Sequence, residues 1–133
     1  MTYKIVRNKV PANYEKDHGK KAVTRKFYGP SEENYYSREK ICEEVQELFD
    51  APNIENAYEE AADVYAALMS YLEFLDKGKT KREVHDLFVG AHMSKTVKLG
   101  SMSHRILMSV SDEDKEFYYN NIKGKITDEH GKL

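Results

Sequence analysis

Between residues 54 and 76 apolar side chains recur at nearly every angle of a helical wheel, running from Ala61-Ala62 through Val64-Tyr-Ala-Ala-Leu-Met69 to Leu75. A helix that is apolar almost all round is normally buried, so this stretch predicts a long helix that several neighbours cover. Lys77-Gly78 stops it. Upstream, Ile41, Val45, Leu48 and Phe49 recur every three or four residues, predicting a first long helix N-capped by Ser31 after Gly29-Pro30 and ending near Asp50. Pro52-Asn53 separates the two. Thr80-Lys-Arg-Glu83 has the form of a capping box and opens a third helix to about Val97, before Gly100. Residues 3–11 alternate too poorly for a strand and predict an extended arm closed by Pro11. Residues 12–29 are polar and basic and read as loop. Arg105-Ile-Leu-Met-Ser-Val110 is a short apolar segment that could be extended, and Ser111 can cap a last short helix through Tyr119, followed by a charged tail. The expectation is an all-α fold of antiparallel helices, with a main domain over residues 1–110 and a short helix and tail over 111–133.

Onto this helical frame falls an uneven distribution of charge. Ten acids and no Lys or Arg occupy residues 41–76. Four of the acids form turn-spaced pairs, Glu44 with Glu47 and Glu60 with Asp63, and side chains three apart share one face of a helix. Crowded carboxylates raise one another's pKa, and a cation between them relieves the repulsion. Hard oxygen ligands suit Mg²⁺ or Mn²⁺ rather than zinc. Glu43, Glu55 and Glu59 fit a solvated face. Asp63 does not: it is the only charge between Ala61 and Leu72, and a buried unpaired carboxylate costs several kcal/mol. A metal or a basic partner is expected beside it.

Composition narrows the class. The 133 residues are 40% hydrophobic and 33% charged, which fits one soluble globular domain. No apolar run is long enough for a membrane span, and the N-terminus lacks a signal-peptide core. The single cysteine, Cys42, fits a reducing cytoplasm and a half-buried helix position. Eight basic groups in residues 1–28 and seven in 77–105 flank the acidic centre. That order suits an anionic small ligand carrying a cation, and it disfavours a nucleic-acid polymer, which the acidic centre would repel. His85 and His92 have no third ligand nearby in sequence for zinc. Tyr65, Met69, Tyr71 and Phe74 read as core more readily than as a base-stacking pocket.

Several segments resemble one known family. Lys40-Ile-Cys-Glu-Glu-Val-Gln-Glu-Leu48 and Glu59-Glu-Ala-Ala-Asp-Val64 are similar to the two motif helices of the MazG-like all-α nucleoside triphosphate pyrophosphohydrolases. Tyr3-Lys-Ile-Val-Arg-Asn-Lys-Val-Pro11 resembles the opening of the phosphoribosyl-ATP pyrophosphohydrolase-like branch, and Gly100-Ser-Met-Ser-His-Arg-Ile-Leu107 its closing segment. The resemblance covers residues 3–108 in order. It departs at Asn8, Leu99, Ser101 and Met102, where the family usually has Asp, Arg, Gly and Phe.

The resemblance implies helices of two subunits packed into a four-helix bundle, as a homodimer or dimer of dimers. It implies Mg²⁺-dependent cleavage of a nucleotide between the α- and β-phosphates. Carried across, Glu44, Glu47, Glu60 and Asp63 would hold the metal, and Arg7, Lys9, Lys95 and Arg105 would meet phosphate. The expected role is cleansing of a (d)NTP pool. Alternatives are phosphoribosyl-ATP hydrolysis in histidine biosynthesis and a non-catalytic metal-binding helical dimer. The apolar perimeter of the residue 61–75 segment argues for dimerisation independently, because one short chain offers too few helices to cover it.

Overall fold

The computed structural model describes residues 2–123, and all regular structure among them is helical. Five α-helices follow in order: α1 (Val10–His18), α2 (Pro30–Phe49), α3 (Ile54–Leu75), α4 (Lys81–Leu99) and α5 (Lys115–Tyr118). The chain divides into two compact units, Met1–Val84 and His85–Leu133, with the division inside the first turn of α4. The sequence punctuates this region only later, at Gly100 and near residue 110.

In the first unit, α2 and α3 form an antiparallel hairpin through a short link at residues 50–53. Both ends of the hairpin are tied. Asn53 caps α3, its side-chain oxygen accepting the Asn56 amide at 2.9 Å, and at the far end the Tyr71 hydroxyl donates to Asn34 Oδ1 at 3.4 Å. The start of α2 differs from expectation. Gly29 occupies the cap position with no side-chain bond and Pro30 opens the helix, so Ser31 is not the cap. Proline serves there because its missing N–H is one the first turn cannot satisfy anyway.

The same property corrects the reading of residues 12–29 as loop. Pro11 lies in the first turn of α1, which begins at Val10, instead of closing the arm, and the helix ends at Gly19, whose φ of 76° and N–H bond to the Glu15 carbonyl form a left-handed cap. α1 buries no residue, so it has no apolar stripe for a periodicity argument to find. At α4 the capping box forms as expected, with Thr80 Oγ1 accepting from the Glu83 amide at 3.1 Å and Glu83 Oε1 from the Thr80 amide at 3.0 Å.

In the second unit, residues 105–110 adopt no regular structure, so the apolar segment is not a strand. A single 3-10 turn at Met102–His104 precedes it. Ser111 Oγ accepts from the Asp114 amide at 3.3 Å, capping a turn, and α5 begins only at Lys115. The rest of the charged tail lies outside the described residues. No described helix is long and apolar enough to cross a membrane.

Burial is sparse. Among the described residues only Ala67 and Val84 are buried hydrophobics. α3 is not covered all round as expected: among the described residues α2 packs along it and the N-terminal arm meets it at Asp63, while one side stays exposed. Ile54, Tyr58 and Tyr65 on that side are 71, 76 and 41% exposed, with Ala61 and Ala62 exposed between them. Spacings of three and four place these residues on one stripe. Cys42 is also exposed, not half-buried.

Candidate metal centre

The α2–α3 hairpin carries the acid pairs on the faces its two helices turn toward each other. Glu44 is the centre of the arrangement. Its carboxylate shares a 4.8 Å neighbourhood with those of Glu43 and Glu47 along α2, and another with those of Glu60 and Asp63 across on α3. The two turn-spaced pairs therefore converge on one residue from adjacent helices.

Glu44 is also the most deeply buried acid, at 5% exposure. One of its oxygens accepts from Lys40 Nζ at 2.7 Å. The other, Oε2, is buried with no hydrogen-bond partner. Leaving a buried carboxylate oxygen unsatisfied costs roughly 1–3 kcal/mol or more, and either a proton or a cation removes that cost. The neighbours register the crowding. Glu47 is held above the ordinary glutamate range, first by the adjoining Glu44 carboxylate, then by partial desolvation and by the charges of Glu44, Glu60 and Glu43.

Basic groups answer part of this charge. Arg7 from the N-terminal arm places Nε and Nη2 at 3.1 and 2.5 Å from one oxygen of Asp63. This is the basic partner expected for Asp63, although the acid itself keeps 36% of its side-chain surface exposed, more than its apolar surroundings in sequence suggested. Lys4 Nζ donates to Glu43 Oε1 at 2.8 Å, and Lys40 Nζ lies 3.7 Å from the same oxygen. Burial pushes the Glu43 carboxyl up, but these lysines outweigh it and leave it below the usual range, while the bond to Glu43 raises Lys4.

Glu43 had been assigned to the solvated face; it is half-buried and belongs to the cluster. Lys40 and Lys4 are the functional groups that pattern reading missed. Lys40 had a signal, since it stands four residues before Glu44 on one helix. Lys4 had none, because the fold brings it across 39 positions.

Arms and helices together enclose a cavity of about 420 Å³. Glu43, Glu44, Glu47 and Asp63 line one side, Lys4, Arg7 and Lys40 stand among them, and Ser37, Ala66 and Ala67 close the hairpin wall. The remaining expected phosphate ligands are not in this wall. Lys9 is exposed, just before α1. Lys95 and Arg105 belong to the second unit and are both exposed. Arg105 is the one described non-glycine residue with positive φ, at 54°. His85 and His92 are both exposed on α4, and neither belongs to the acid groups described above. The aromatic candidates Tyr71 and Phe74 stack on each other with centroids 6.3 Å apart, and Tyr65 lies on the bare stripe.

No known protein family, curated protein or solved structure matches the chain. The chemistry of the site rests on its residues.

Proposed function

We propose that this chain is a divalent-cation-dependent nucleotide pyrophosphohydrolase, cleaving between the α- and β-phosphates. The observation that carries the reading is Glu44, a buried carboxylate with an unpartnered oxygen at the meeting point of acids from two helices. That donor set fits a hard cation. All ligand atoms are carboxylate oxygens, the group most favoured by Mg²⁺ or Mn²⁺, and a docking surface has no use for an acid buried this deeply. The resemblance of the two motif helices and of the opening arm to the MazG-like enzymes supports the same conclusion.

Glu44, Glu47, Glu60 and Asp63 would hold the cation. When bound, it supplies Lewis acidity at the phosphoryl group and eases attack by water. The protein's own groups do the rest. Glu47, the most exposed of the four acids, has its proton affinity raised by the neighbouring acids, and in its ionised form it is the natural acceptor of the proton that the attacking water loses. Water oxygen bonds to the α-phosphorus, the bond from that phosphorus to the bridging oxygen breaks, and pyrophosphate departs from the monophosphate. Lys4, Lys40 and Arg7, which pair with the acids here, would be the groups at hand to meet phosphate oxygens once those acids held a cation.

The bare stripe on α3 bears on assembly. Ile54, Tyr58, Ala61 and Ala62 form a face that stays exposed among the described residues, and a twofold partner presenting the same stripe covers it with small and aromatic side chains. A homodimer joined there completes a four-helix bundle from two hairpins. Ala66 and Ala67 play no part in this contact, since they line the cavity wall.

A pyrophosphate-release screen over ribo- and deoxyribonucleoside triphosphates and phosphoribosyl-ATP, with Mg²⁺ or Mn²⁺, tests the activity. Phosphorus NMR of the best substrate is expected to show a monophosphate and intact pyrophosphate. Orthophosphate and a nucleoside diphosphate as first products would overturn the assignment.

A further inference from the structure

A second and larger chamber, about 600 Å³, adjoins the acid-lined cavity. The two share Lys4, Ile5, Val6 and Val10 as walls, so the N-terminal arm is the partition and Lys4 stands in both. Their linings differ sharply. The second chamber contains no member of the acid cluster. It offers the rings of Tyr3, Tyr14, Phe27 and Tyr36, with Thr2, Thr24 and Lys21 as polar groups between them.

Its walls are held by specific bonds. The Arg25 guanidinium pairs with both oxygens of Glu32 at 2.6 and 3.1 Å. It also lies 4.6 Å from the ring centre of Tyr3 and 3.9 Å from that of Tyr28. One side chain thus joins the arm, the loop after α1 and the start of α2. Glu15 of α1 accepts the Ala22 amide at 2.9 Å and pins the other end of the loop. Phe27 stacks on Tyr36 with centroids 6.5 Å apart. Tyr14 and Phe27 nevertheless remain 46 and 41% exposed, which leaves aromatic surface open in a built chamber.

We propose that this chamber is the nucleobase subsite of the phosphate-cleaving centre, so that the substrate is a true nucleotide whose base stacks on Phe27 and Tyr14 while its phosphates pass Lys4 to the acids. The inference rests on the reading under Proposed function and adds which end of the substrate goes where. A chamber of this volume has the size usual for small-molecule sites. Stacking on aromatic faces is the least sequence-demanding way to hold a base, and Thr2, Thr24 and Lys21 can meet its polar edge. The adjoining cavity, crowded with charge, suits only the phosphate end.

The test compares binding of inorganic tripolyphosphate with the α,β-methylene analogues of ATP, GTP, CTP and UTP, by calorimetry with Mg²⁺ and the full chain. At least one analogue is expected to bind about tenfold or more tighter than tripolyphosphate, as one stacked base contributes. Tyr14→Ala and Phe27→Leu should each remove most of that advantage and leave tripolyphosphate affinity unchanged. Phe27→Leu keeps apolar volume and Tyr14 projects from an exposed helix, so circular dichroism is expected to show intact folds. No analogue surpassing tripolyphosphate overturns the proposal. So does an advantage that survives both variants, an equal loss for both probes, or a change in sedimentation showing that the chamber seats a second copy. In those cases pyrophosphate release from nucleotides leaves the catalytic reading standing. Absence of Mg²⁺-dependent binding by every probe removes both.

Discussion

The two sides of α3 obey opposite rules. Toward α2 the helix presents Glu60, Asp63 and Ala67, in a wall where acids are dense and basic groups answer Glu43, Glu44 and Asp63. On the other side Ile54 and Tyr58 present apolar surface that stays largely exposed among the described residues. One side holds more acids than basic groups and leaves Glu44 Oε2 unpartnered, and the other leaves apolar side chains exposed. A single helix thus states two separate deficits, one electrostatic and one hydrophobic. They call for different occupants, a cation and a second protein surface, and a change on one side should leave the other intact.

Glu44→Gln is the sharpest way to break the inner side. The substitution keeps volume but removes the charge at the junction of both acid pairs, and turnover is expected to fall at least about 100-fold, as loss of metal-site groups commonly does. Steady-state pyrophosphate release, with sedimentation confirming an unchanged oligomer, checks both halves of the expectation. Turnover near wild type would remove Glu44 from the site.

On the outer side Tyr58→Glu places a charge within the stripe. Burial of an unpaired charge costs several kcal/mol, enough to weaken self-association by about 100-fold or more. Light scattering should show a dimer for the wild type and monomer or insoluble protein for the variant. A wild-type chain that is monomeric and active at micromolar concentration would refute the second-copy reading of this face.

Lys40→Met tests how far cations compensate one another. Without metal it leaves Glu44, at 5% exposure, with neither oxygen properly partnered, and is expected to cost about 1–3 kcal/mol of stability. Added Mn²⁺ should recover much of that loss. Urea unfolding in EDTA and in Mn²⁺ measures the difference; an equal deficit under both conditions would separate Lys40 from the cation site.

The smallest expected effect is on acidification. Glu47 is raised above the ordinary glutamate value of about 4.3. A raised carboxyl takes up its proton, and ceases to serve a cation, at a higher pH than an ordinary one. The rise in melting temperature caused by Mn²⁺ should therefore begin to shrink while the pH is still above about 4.3. Glu43 has the opposite sign. Its lowered pKa makes the stabilising pair with Lys4 present above the unfolded value and lost only as pH falls through the lower folded one. Thermal shifts across an acid series distinguish the two: a Mn²⁺ effect that persists unchanged until Glu43 itself protonates would exclude Glu47 from metal binding.

Much of the hairpin and of the start of α4 is legible in the sequence. The Thr80–Glu83 box is a short-range device, and the spacing of Glu44 with Glu47 and Glu60 with Asp63 puts each pair on one helical face whatever the surroundings. α1 was not legible, because a helix that buries nothing leaves no periodic mark. Glu43 was misplaced because alternation on a wheel says which way a residue points and not which arm crosses above it.

The sequence by itself therefore determined α2, α3 and α4, the capping box at Thr80 and the pairing of acids along each hairpin helix, all of which depend on contacts between near neighbours in the chain. Tertiary structure alone decided what meets what across the hairpin. It made Glu44 the shared member of both acid groups, and it brought Lys4 and Arg7 from the N-terminal arm onto Glu43 and Asp63. It also left one side of α3 bare and set the aromatic chamber beside the acids. These are long-range pairings. Their geometry depends on how helices and arms pack, and no local propensity encodes it.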